Sequence, residues 1–150
     1  MRTIPVFCVT AICLSACQAI PEYPARVTAQ LQSATGGGIF GTGGAFGTAV
    51  FEPAGNNVHV IVYAEGLTPG QQYGLRIQNA GDCSGQGTSE PRALRSLRAD
   101  NMGRATVETD VDGATVAAGP GSIVGRSLVI HGGPDAGAGA PVACGAIRAG

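Results

Sequence analysis

The stretch SIVGRSLVIH, residues 122–131, carries Ile123, Val124, Leu128, Val129 and Ile130 with Arg126 as its single permanent charge. Apolar runs of this kind, without alternation, mark a strand covered on both faces. Its neighbours read differently. In GRATVETDVDG, residues 103–113, Ala105, Val107 and Thr109 alternate with Thr106, Glu108 and Asp110. In NVHVIVYAEGL, residues 57–67, Val58, Val60, Val62 and Ala64 alternate with His59, Ile61, Tyr63 and Glu65. Successive side chains of a strand point to opposite faces, so the aliphatic set is core and His59 faces out. Tyr73, Leu75 and Ile77 likewise alternate with Gly74, Arg76 and Gln78, after a Pro-Gly turn in GLTPGQQ.

Further strands are expected over 25–34, over GTAVFEP before a turn at Ala54-Gly55-Asn56-Asn57, and over the closing VACGAIRA. TGGGIFGTGGAFG, residues 35–47, reads as a flexible hairpin connection; its Gly pattern lacks the strand, helix and Lys-Ser/Thr pair of a nucleotide loop. Residues 84–103 show no strand pattern. Within them Arg92, Arg95 and Arg98 recur every three residues, as one face of a helical turn or as a solvated loop face. Seven or eight short strands separated by Gly-rich turns predict an all-β sandwich or Greek-key barrel.

Composition agrees. The chain has 150 residues, enough for one domain, with 25 Gly and only 13% charged residues. A net charge of −1 gives no global field for nucleic acid.

The first residues stand apart from this pattern. Thr3 to Ala16 is a largely apolar run without charge, preceded by Arg2. A bilayer-spanning helix needs about 20 residues, so the run fits the apolar region of a signal peptide over 1–16. It ends in Leu14-Ser15-Ala16-Cys17, which resembles a bacterial lipobox. The resemblance implies cleavage before Cys17, a lipid on its thiol, and a tether over 17–24 ahead of a domain over 25–150. Gln18 after Cys17 implies the periplasmic side of the outer membrane, where the bacterium has one. Cys8 and Cys13 then leave with the signal peptide, and Cys83 and Cys144 remain in an oxidising compartment. One disulfide is the simplest reading, two free buried thiols the alternative.

The second half resembles the copper/zinc superoxide dismutase family. The resemblance lies in GLTPGQQYGLRIQNAGDC, LRSLRADNMGRATV, GPGSIVGRSLVIHGGPD and VACGAI, and covers roughly residues 28–150. It implies an eight-stranded Greek-key barrel and a disulfide between Cys83 and Cys144. It also implies a copper site, which this sequence does not furnish. Imidazoles suit copper, and the family places two on an H-x-H strand; Arg76 and Gln78 stand there. The bridging and remaining zinc histidines belong to a loop that here contains no His. The zinc carboxylate position matches Ala93, and the guiding guanidinium position matches Pro141. Of seven ligand positions only His131 keeps its type. Asp135 matches a carboxylate that supports the metal histidines, which suggests either an Arg76–Asp135 pair in which a guanidinium substitutes for the metal, or a Gly-rich loop that carries Asp135 into solvent while Arg76 points out.

These readings point to a lipid-anchored envelope protein without dismutase activity or resident cofactor, acting as a binding or structural module. Its partners would be the membrane, through Cys17, and an envelope protein or cell-wall component. The alternatives are weak copper binding or buffering through His131, with His59, Met102 or carboxylates as helpers, and a residual dismutase-related role in oxidative defence. Proton chemistry at a pocket of Arg76, His131 and Asp135 is a third class.

Overall fold

The computed structural model describes residues 26–34, 44–79, 81, 83, 92–133 and 139–150. The proposed signal peptide, Cys17, the tether, the centre of the Gly-rich connection and Asp135 lie outside them.

The described residues form nine strands and no helix. They are β1 (Val27–Ser33), β2 (Phe46–Ala54), β3 (Asn57–Glu65), β4 (Gln72–Gln78), β5 (Arg92–Ala93), β6 (Leu97–Arg98), β7 (Ala105–Asp112), β8 (Ser127–Gly132) and β9 (Pro141–Ala149). All belong to one curled sheet in the order β5-β4-β8-β9-β1-β2-β3-β7, with β6 also pairing with β4. Every pairing between strands is antiparallel. β5 and β6 lie end to end along β4, at Arg76–Ile77 and Gln72–Tyr73, so nine strands fill eight positions.

The inner face follows from alternation. Val27, Ala29 and Leu31 of β1, Ala49 and Phe51 of β2, and Val58, Val60, Val62 and Ala64 of β3 are all buried. They meet Leu75 and Ile77, Leu128 and Ile130, and Ile147 in one core. Burying such side chains contributes roughly 1.5–3 kcal/mol each relative to exposure. The β2–β3 hairpin turns in two residues, since Ala54 pairs with Asn57. Gly55 takes φ 64°, which a tight hairpin of this kind demands at its first central position.

Two expectations need correction. Residues 84–103 are not without strands: β5 and β6 each contribute two residues to the sheet. Arg92 and Arg98 lie in these strands, so the three-residue recurrence does not mark a helical turn; Arg92 Nη1 instead donates to the Asp112 carbonyl at 2.6 Å. The doubly covered strand also starts later than its apolar run suggests. Residues 122–126 turn, with Gly125 at φ 84°, and β8 begins at Ser127. Ile123 fills the core from this turn rather than from a strand.

Candidate functional site

Antiparallel register brings the singled-out residues together. Arg76 of β4 lies opposite Ala93 of β5 on one side and Val129 of β8 on the other. Gly74 lies opposite His131, and Gln78 opposite Ser127. Val129 in turn faces Cys144 of β9. Directly opposed residues share a face. Ala93, Gly74, Arg76, Gln78, Ser127, Val129, His131 and Cys144 therefore occupy a single face, the one turned away from the core.

That outward face is covered. Ser127, Val129 and His131 are buried, and so are Gln78 and Cys144. On this face the Cys83–Cys144 disulfide joins Cys83, after β4, to the middle of β9 across a sequence separation of 61. The simplest cysteine reading thus holds, and the two thiols are not free. Cys83 is exposed with φ 62°, a left-handed conformation uncommon outside Gly. Gly81 passes so near the turn before β8 that a Cβ there would stand 2.3 Å from the Gly125 carbonyl oxygen.

Arg76 and Gln78 hold one another. With the Gln78 amide turned so that its oxygen meets the guanidinium, Arg76 donates from Nε at 3.0 Å and from Nη2 at 2.8 Å. This satisfies a side chain that is only 5% exposed and fixes the plane of the guanidinium. Sequence periodicity put the two residues on one face, but nothing local signalled that Gln78 is buried or that the pair bonds. Ala93 and Pro141 are exposed and bring no ligand atom.

His131 is 2% exposed. Its Nδ1–H donates to the Gly139 carbonyl at 2.9 Å, which leaves Nε2 as an acceptor. Nε2 is buried and has no hydrogen-bond partner among the described residues. Burial holds the imidazole below its ordinary pKa; the bond to Gly139 works the other way, and the Arg76 cation adds to the lowering. The ring is neutral at pH 7.

His59 belongs elsewhere. It lies on the bare outer face of β3, donating from Nδ1 to Asp110 Oδ1 at 2.7 Å, with Glu108 3.9 Å from Nε2. The bond to Asp110 raises its pKa, aided by the charges of Asp110, Glu108 and Glu52 and opposed by desolvation. Met102, 69% exposed, sits with its sulfur 3.2 Å from Arg104 Nη2. His59 shares the outward side of the sheet with His131 but stands on the opposite flank, with β9, β1 and β2 between β3 and β8; Met102 lies in the connection between β6 and β7.

The donor set does not fit a resident copper. One neutral imidazole is present, the paired positions hold a hydrogen-bonded Arg and Gln, and a permanent cation stands beside the ring. Among the described residues no three His, Cys, Asp or Glu side chains gather as a metal site. Neither the scan of protein-family models nor the search of curated proteins finds a match to this chain.

Proposed function

We propose that this chain is a lipid-anchored envelope protein whose superoxide dismutase-like Greek-key barrel has become a binding or structural module without dismutase activity. One observation carries the reading. At the positions where the resembled family sets its paired copper imidazoles, Arg76 and Gln78 hydrogen-bond to each other. The curled, all-antiparallel sheet and the Cys83–Cys144 disulfide that the resemblance implies support the reading, and the lipobox-like Leu14-Ser15-Ala16-Cys17 supports the anchor.

The test is metal analysis of protein exported to an oxidising compartment, followed by a dismutase assay after copper loading. The expected result is less than stoichiometric copper and a rate no higher than that of free copper removed by chelator. Stoichiometric copper that survives chelation, with dismutation, would overturn the proposal.

The second reading, a weak copper buffer, is favoured by the unpartnered His131 Nε2. Copper titration of the native chain against His131→Ala separates the two. Equal titration curves eliminate the buffer; a curve lost in the variant establishes it.

A further inference from the structure

The outward face of the sheet carries, from β9 to β7, a row whose two ends complement each other. Register places Arg148 of β9 opposite Thr28 of β1, Thr28 opposite Val50 of β2, Val50 opposite Ile61 of β3, and Ile61 opposite Glu108 of β7. Directly opposed residues share a face, so the row reads cation, hydroxyl, apolar, apolar, anion across neighbouring strands. Arg148 and Glu108 are exposed, whereas Thr28, Val50 and Ile61 are half-buried. Arg148 takes part in no ion pair among the described residues. Glu108 stands 3.9 Å from His59, beyond hydrogen-bond reach. Phe46 of β2 and Tyr63 of β3, large hydrophobic side chains left 52% and 42% exposed, lie on the same face.

A second copy of the chain fits this face. When two such faces stack and one is turned half a turn about an axis running along β2 between them, the row falls on itself. Val50 meets Val50, Ile61 meets Thr28, and Arg148 meets Glu108 at both ends. A two-fold contact of this kind is closed. Neighbouring strands lie about 4.8 Å apart and stacked sheets about 10 Å apart. The sheet curls away from its outer side, so contact is closest along β2 and only long side chains bridge the ends of the row; Arg and Glu have that length. The β9 and β1 end also holds a groove of about 370 Å³, lined by Thr28, Gln30, Gln32, Cys83, Cys144 and Arg148. It receives β7 of the other copy, the bare last strand of the sheet order. A bilayer suits the face less well. Glu52, Glu65, Glu108 and Asp110 share it and repel anionic lipid, and burial in any lipid strips Glu108 and Arg148 of water without pairing them.

We propose that this face joins two copies of the chain in a two-fold dimer centred on β2, with Arg148 of each copy on Glu108 of the other. The inference goes beyond the proposed function and uses neither Arg76 nor His131.

The experiment is sedimentation equilibrium of the full chain in a density-matched neutral detergent, with micelles in excess over chains. The native chain is expected to dimerise reversibly with concentration, and more weakly in high salt. Arg148→Glu and Glu108→Arg each set like charges together at both ends and are expected to weaken association about tenfold or more. A chain carrying both substitutions exchanges the two signs and is expected to return to within about threefold of native affinity. That recovery separates lost complementarity from a variant that merely unfolds, and denaturant unfolding of each variant checks the fold directly. Val50→Lys sets two cations together on the axis and is expected to abolish the dimer. A monomer at every concentration, a dimer indifferent to the single reversals, a double variant no better than the singles, or growth beyond the dimer would each overturn the inference. So would a dimer that disappears as detergent is raised, which marks shared micelles. Copper uptake bears on the proposed function alone and leaves this test untouched, so the two fail separately.

Discussion

The two flanks of the sheet differ in how many of their faces are covered. Across β1, β2, β3 and β7 burial alternates: in β3, Val58, Val60, Val62 and Ala64 are buried while Tyr63 is 42% exposed. Across β4, β8 and β9 the second face is also closed, and β8 is buried without interruption from Ser127 to His131. A one-faced strand reports its environment through period 2. A two-faced strand does not, because both of its faces are buried; here the Cys83–Cys144 disulfide ties the segment after β4 to β9 on that side. The lesson is that the polar residues worth attention are those on the closed flank, where solvent cannot satisfy them.

The largest test of this contrast removes the fastening. Cys83→Ser with Cys144→Ser should lower stability by about 4 kcal/mol, the chain-entropy value for a loop of this span, measured by denaturant unfolding. Amide exchange should accelerate most in β8 and β9 and least in β3. Uniform acceleration across both flanks would show that the cover is not a separate layer.

A smaller effect compares one substitution at two sites. Val129→Thr buries a hydroxyl on the closed face and should destabilise by about 1–3 kcal/mol. Val50→Thr, half-buried on the outer face of β2, should change stability by about 0.5 kcal/mol or less. Equal values would erase the distinction between the flanks.

The smallest effect comes from pH. His131, on the closed flank, has its pKa lowered from 6.5 in the fold, so the unfolded chain binds the extra proton and stability rises with pH in the window just below 6.5. His59, on the open flank, has its pKa raised from 6.5. The folded chain there holds the extra proton, so its contribution is complete below 6.5 and is lost as pH climbs through the folded value. The His59 side chain is 32% exposed, so solvent screens its ion pairs. Stability against pH should therefore peak near 6.5, and His59→Ala should flatten only the alkaline limb. Ring titrations by NMR give the two pKa directions independently.

What could be read from residues alone divides along the same line. The alternation of Val58 to Ala64 fixes the faces of β3, and the outward placement of His59 follows. Arg76 and Gln78 were placed on one face by the same rule. Their mutual hydrogen bond escaped it, because alternation gives the face of a side chain and not its partner. β5 and β6 escaped because two residues each carry no periodicity; only their register with β4 makes them strands. Arg92, Arg95 and Arg98 recur at helical spacing, but pairing with β4 prevailed over that local pattern.

The placement of β9 has a consequence for how the molecule assembles. It is the last strand in chain order, yet it lies between β8 and β1 and joins the two flanks. Until Pro141–Ala149 docks, the chain has two half-sheets with raw inner margins, each able to recruit a foreign strand. Contacts of such long sequence separation form slowly. A newly made chain therefore passes through a vulnerable interval that ends when its final strand drops into the gap like a keystone.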